Sequence, residues 1–272
     1  MKFSPRIRGR TRSLTHVLRA GIFFWFRNEI SERPVIVVGA PNSGTTMFAR
    51  ALNLHPELAN RSEERVLWNP RFHHSDMASD YFSAHHATAW RKFVLKGNFA
   101  YFHRRFKGKR IVNKHPENSL RLEFIKEIFP EAYYIHLLRD GRAVVNSNLG
   151  RRNSGVPFAN WVLPPDWEDF ADSQPVEQFA YMWKSCVDSI QSVAPNLANF
   201  REIRYEDLAE NQDKIFRELF KWLQVTVDEE LINKMPRIEN RNFKWKEKLS
   251  EKEIAMIQKF AGDTLQRNGY AE

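Results

Sequence analysis

The stretch PVIVVGAPNSGTTMFARAL, residues 34–52, limits what this chain can fold into more than any other. Val35 to Val38 is an unbroken β-branched run, as in a strand buried on both faces of a parallel sheet. Gly39 and Gly44 bracket a turn, and Thr45 to Leu54 has the make-up of a helix. A strand, a glycine turn and a helix start aim backbone N–H groups and a positive dipole end at one spot, which suits an anion. Ser43, Thr45 and Thr46 add hydroxyl donors. GAPNSGTT has the two glycines of a phosphate loop, but Thr-Thr stands where nucleoside triphosphatases carry Lys-Ser or Lys-Thr. Without that lysine, a β,γ-phosphate with magnesium is a poor ligand. Taken alone, the segment also reads as a plain strand-to-helix turn.

The rest of the chain alternates in the same way. IVNK (111–114) and YYIHLL (133–138) are predicted strands. ENSLRLEFIKEIF is an amphipathic helix with Leu120, Phe124, Ile125 and Ile128 on one face, closed by Pro130. AVVNSNLGRR, VEQFAYMWKSCVDSIQSVA, NQDKIFRELFKWL and LSEKEIAMIQKFAGDTLQRNGY are further helices, and REIRYEDL is a strand ending in a turn. Residues 153–175, with four prolines and two tryptophans, form a long loop. The pattern predicts an α/β fold: three layers, αβα, around a central, mostly parallel sheet, like that of the P-loop nucleoside triphosphatases. A single domain over 33–272 follows a basic segment, 1–32; 272 residues, 42% hydrophobic, suffice for one sizeable core. Ligands of such sheets gather at the carboxyl ends of strands, so the loops after Val38 and Leu138 should be neighbours.

The second of those loops carries its own anion site. In HLLRDGRAVVNSNLGRR, Arg139 stands at a strand end and Ser147 eight residues later. Arg151 is four further, on the same helical face as Ser147. A guanidinium fork, a hydroxyl and a second guanidinium can hold a phosphate. Two such sites on neighbouring strand ends suit a nucleotide phosphorylated at two separated positions.

PNSGTT together with Arg139 and Ser147 resembles the sulfotransferases that use 3′-phosphoadenosine 5′-phosphosulfate (PAPS). KHPENSLRLEFIKEIFPEAYYIHLLRDGR, RYEDL and the tail from FKWKEKLSEKEI to NGY extend the likeness, which is weakest over 68–108 and 152–175. The resemblance implies PAPS as donor, 3′,5′-bisphosphoadenosine (PAP) as product, and a hydroxyl acceptor on a small molecule, lipid headgroup or glycan. It also implies that Asn42, Ser43, Gly44, Thr45 and Thr46 hold the phosphosulfate, and that Arg139 and Ser147 hold the 3′-phosphate, with Arg151 beside them by its helical spacing. The donor has no γ-phosphate, which accounts for the missing lysine, and no metal is implied.

The chain departs from the family at Asn42, where relatives usually carry lysine or arginine. Losing a preorganised donor costs about 3 kcal/mol in a transition state. Lys114 of NKHP, similar to a K-x-P element of relatives, is the candidate to cover the charge; slow transfer, or nucleotide binding without transfer, are the other readings. For the general base, Glu63 of RSEER, with Arg65 to orient it, matches relatives acting on tyrosine or sugar hydroxyls. Glu64 is its neighbour, and His115 is the rival. Tyr205 resembles a tyrosine near the 3′-phosphate, or it packs a strand end. Lys244 and Trp245 resemble a loop that closes over the nucleotide.

The net charge of +9 calls for anionic partners. A P-loop phosphotransferase or kinase is the alternative enzyme. Nucleic acid is not expected, because the basic residues form no single stripe and no recognition module is present. His73, His74, His85 and His86 have no cysteine partners or HExxH frame and are read as surface or acceptor-facing rather than metal-binding. Trp161 and Trp167 stack on an acceptor or anchor their loop. One cysteine, Cys186, allows no internal disulfide and fits a reducing, cytoplasmic setting. The N-terminal run LTHVLRAGIFFWF has no small-residue cleavage site after it. It is expected to pack Leu14, Leu18, Phe23 and Trp25 on the domain; peripheral contact with anionic lipid is the alternative.

Overall fold

The computed structural model of the chain describes residues 10–60, 79–153 and 162–270. In chain order the elements are α1 (Arg10–Phe24), α2 (Glu29–Glu32), β1 (Val35–Val38), α3 (Thr45–Leu52), β2 (Leu58–Asn60), α4 (Ala89–Arg105), β3 (Arg110–Lys114), α5 (Leu122–Ile128) and β4 (Tyr133–Leu138). They continue as α6 (Gly141–Asn153), α7 (Pro175–Val193), β5 (Asn199–Arg204), α8 (Tyr205–Glu210), α9 (Gln212–Trp222), α10 (Glu229–Lys234), α11 (Lys244–Lys248) and α12 (Glu251–Arg267).

Among the described residues the strands make one five-stranded sheet in the order β2-β3-β1-β4-β5. Every pairing is parallel, with Val37 beside Lys114 on one flank and Ile135 on the other. Strand alternation sorts β1 between two cores. Val35 and Val37 pack with Phe48 of α3 and Phe216 of α9. Ile36 and Val38 pack with Leu95 and Phe99 of α4 and Ile125 of α5. A third cluster joins α6, α7 and α12 around Trp183 and Cys186, both fully buried. The expected three-layer α/β architecture is therefore present, and β1 lies at its centre.

Several local expectations are corrected. The helix after the glycine loop ends at Leu52. The segment read as one helix after NKHP splits into a 3-10 turn, Pro116–Leu120, and α5, with Arg121 between them. Tyr205 opens α8 instead of closing the strand, because the chain turns directly from β5 into helix. The proline-rich loop includes a 3-10 turn at Trp167–Phe170. In α1, Phe23 packs as expected, edge-on to Tyr101 with ring centroids 5.1 Å apart. Leu18 and Trp25 do not pack: they are 62% and 81% exposed, because α1 meets α4 through the face that carries Ala20. The Leu14 side chain lies outside the described residues. No described helix is long and apolar enough to cross a membrane.

Candidate functional site

The carboxyl ends of β1, β3 and β4 open onto a cleft of about 940 Å3. The loop after β1 forms its floor. Gly39 passes so close to β4 that a Cβ there would stand 2.6 Å from the Leu137 carbonyl oxygen. Gly44 has φ 93 and faces the Tyr205 ring, where a Cβ would be 3.1 Å away. These are close-approach and left-handed positions that favour glycine. Asn42 also lies in the left-handed region, at φ 70, which asparagine tolerates better than most residues. The Ser119 hydroxyl pins the loop from below: it accepts from Gly39 N–H at 3.1 Å and donates to Gly39 C=O at 3.0 Å. α3 starts at Gly44 without a side-chain cap, which leaves its first-turn N–H groups for an anion.

Arg139 leaves the end of β4 and ties the walls together. Its Nη1 donates to the Asn42 carbonyl at 3.0 Å and its Nε to Asn242 Oδ1 at 2.8 Å. Its guanidinium lies 4.2 Å over the Tyr205 ring. Burial pushes Arg139 below its ordinary value, with Tyr205 and Glu206 pulling the other way; an arginine remains a cation under such a shift. Asn242 in turn donates to Glu206, which also accepts from the Asp140 N–H and the Tyr270 hydroxyl. On the other side Asn42 Nδ2 donates to Asn148 Oδ1 at 2.7 Å, and fully buried Asn148 donates to Val144 C=O at 2.9 Å. A continuous polar chain thus runs from α8 through Arg139 and the glycine loop to α6.

A second chain supports the wall after β3. His115 Nδ1 lies 3.2 Å from Glu117 Oε2, ion-pair range, but it is not aligned for a hydrogen bond. Arg121 binds Glu117 at 2.8 Å and Asp80 at 3.0 Å. Asp80 accepts from the Leu163 N–H at 2.8 Å. The chain of charges joins His115 to the start of the segment that follows residue 161.

Of the expected site residues, Asn42, Gly44, Thr45, Thr46, Lys114, His115, Arg139, Ser147, Arg151, Tyr205 and Lys244 all line this one cleft. Lys114 and His115 are nearly buried there, 4% and 8% exposed. Two placements differ. Ser43 is 1% exposed and lies behind the lining, its N–H donating to Ala40 C=O. Trp245 sits in the core with the Arg142 guanidinium 4.2 Å over its ring, so α11 presents Lys244 to the cleft and hides the tryptophan. The Tyr205 hydroxyl donates to Glu239 C=O at 2.6 Å, and its ring is what faces the cleft. Glu63, Glu64, Arg65, His73, His74 and Trp161 lie outside the described residues. His85 and His86 stack on one another beside Ser83.

Asn148, Ser119, Glu206 and Asn242 were not legible in the sequence. Each acts through another residue over a long sequence separation, and no local pattern marks that. Lys114, Arg139, Arg151, Arg237, Arg241, Lys244 and Lys248 face Glu117 and Glu239 around the cleft. Even with Arg237 paired to Asp213 and Arg241 to Glu239, the balance stays cationic.

Fold and site together define a class: P-loop-like α/β proteins whose glycine loop lacks the Walker lysine. The chain belongs to the sulfotransferase family, whose profile matches residues 34–229. Among relatives, it is 25% identical over 219 residues to protein-tyrosine sulfotransferase A of Caenorhabditis elegans, covering 73% of this chain and 52% of that protein. It is 25% identical over 173 residues to the omega-hydroxy-beta-dihydromenaquinone-9 sulfotransferase of Mycobacterium bovis, covering 62% and 43%. The chain thus spans about half the length of the curated relatives it matches. Its fold is also that of the sulfotransferase domain from the curacin biosynthetic pathway, with TM-score 0.62 at 17% identity over 88% of this chain and 98% of that domain.

Proposed function

We propose that the chain transfers a sulfuryl group from PAPS to a hydroxyl acceptor, a small molecule or glycan, leaving PAP and a proton. One observation carries this reading: the glycine loop, Arg139 and the Ser147–Arg151 face of α6 open on the same cationic cleft. The donor supplies an activated sulfate whose leaving group is a phosphate. Uncapped N–H groups of α3 hold that phosphate, and Lys114 beside them offsets the charge that develops on it. Arg139, Ser147 and Arg151 hold the 3′-phosphate at the far end. Glu63, the base that the resemblance favours, or its rival His115, backed by Glu117, takes the acceptor proton as the hydroxyl oxygen attacks sulfur. The acceptor class follows the relatives' names only as far as a hydroxyl.

A second reading, nucleotide binding with slow transfer, has its own observation. Asn42 brings no charge, and its amide is engaged by Asn148. Titration with PAP by calorimetry, beside Arg139→Ala and an ATP–magnesium control, tests the nucleotide class. Micromolar PAP binding lost in the variant, with no ATP binding, supports it; PAP that fails to bind overturns it. Single-turnover transfer from PAPS then separates the two readings.

A further inference from the structure

We propose that the α1–α4 face is a docking surface for an anionic lipid bilayer. The first observation is an apolar ridge turned outward. Leu18, Ile22 and Trp25 stand at i, i+4 and i+7 of α1 and its end, on one helical face, and are 62%, 59% and 81% exposed. Phe26 beside them is 50% exposed. The ridge continues onto α4: Trp25 meets Phe24 at 5.8 Å, Phe24 meets Phe93 at 4.6 Å, and Phe93 stacks on Trp90 at 5.6 Å. Trp90 is 53% exposed. A soluble surface rarely gathers so many large apolar side chains without a partner.

The second observation is charge. Helices α1 and α4 hold eight lysines and arginines and no aspartate or glutamate. The two helices pack on each other at Ala20 and Gly97. Some of the charge is answered by neighbouring elements, with Lys92 on Glu127, and Lys96 and Arg27 both on Glu32. Arg104 and Arg105 remain exposed, and Arg104 lies 4.9 Å over the Phe26 ring, at the edge of the apolar ridge.

Tryptophans and bulky aliphatics flanked by cations are what the headgroup region of an anionic bilayer takes up. A second copy of the chain is the poorer occupant. Pairing this face with itself would oppose two surfaces that each carry a cationic excess and cost Coulomb energy. The ridge is held rigidly: a Cβ on Gly97 would meet the Ala20 carbonyl at 2.0 Å, so the two helices are in backbone contact. The tryptophans are therefore presented on a fixed surface.

The test is flotation with vesicles of equal parts phosphatidylglycerol and phosphatidylcholine, against phosphatidylcholine alone. The comparison variant is Leu18→Ser, Ile22→Ser, Trp25→Ser, whose substitutions are on the surface and should leave the melting temperature unchanged. The intact chain should bind the mixed vesicles at least about tenfold more strongly than the neutral ones, and the triple variant should lose that binding. Quenching of the intact chain by brominated acyl chains, reduced in Trp25→Phe, gives a second measurement with little risk to folding. Equal binding to both vesicles, or undiminished binding by the triple variant, overturns the proposal. So does a concentration-dependent dimer that the same substitutions abolish, which would assign the face to a second copy.

Discussion

Asn42 meets two demands that few residues meet together. It holds a left-handed backbone at φ 70 and spends its side chain on buried Asn148. Alanine satisfies neither, so Asn42→Ala should cost about 1–3 kcal/mol in urea unfolding, from a strained backbone and a lost buried bond. Asn42→Lys sets the two roles against each other: it should melt lower, yet transfer faster in a single turnover if charge at this point limits the chemistry. An unchanged transfer rate would place the missing charge on Lys114. Outside the lining of the cleft, Glu202 makes a pH prediction. Burial alone would raise its value, but His136 at 2.9 Å and Gln191 at 3.2 Å hold it below the ordinary 4.5. Its folded value is depressed, so its contribution is complete above that ordinary value and fades as pH falls through the lower one. Melting temperatures from neutral pH downward should drop less steeply below 4.5 in Glu202→Gln than in the parent chain.

At the level of elements, Gly97 decides whether α1 can lie on α4. Gly97→Val places methyl groups where the Ala20 carbonyl sits, and α1 must lift or tilt. Overpacking of this kind costs about 1–3 kcal/mol. Limited proteolysis should then cut within α1 first, while PAP affinity stays unchanged because the cleft lies on other elements. The elements themselves were legible where the pattern was strong. β1 follows from a run of buried β-branched residues, the loop after it from Gly39 and Gly44, β4 from its buried aromatic and aliphatic run, and the face of α5 from its spacing. What escaped was orientation at short elements. Nothing in FKWKEK says which way a five-residue helix turns its tryptophan, and the third core decided it. Nor did any breaker mark the point where β5 turns straight into α8 at Tyr205. In α1 the large residues Leu18 and Trp25 were expected to pack, and the close approach of Ala20 and Gly97 set the contact instead.

Taken whole, the molecule is a sheet whose carboxyl edge is stitched together by side chains from distant parts of the chain. A ligand that binds only this assembled edge should raise the stability of the entire fold. PAP at a hundred times its dissociation constant should add about 2.7 kcal/mol, seen as a rise of about 5–10 °C in melting temperature. Arg139→Ala should abolish the rise. The two motifs were legible, and their convergence on one cleft follows from the parallel sheet. The polar chain that fixes their spacing was not legible, since its members pair across a hundred residues or so, as Asn42 does with Asn148. Within that chain Arg139 grips the glycine loop and Asn242 with the same guanidinium. The two ends of a bound nucleotide would then be energetically coupled, each tightening the other by the same factor. Such a ligand cannot peel away one end at a time; it leaves as a unit or stays. Departure of the spent nucleotide would set the pace of turnover, visible as a burst of sulfated product in the first cycle, and a linear onset would show that the transfer step sets it instead.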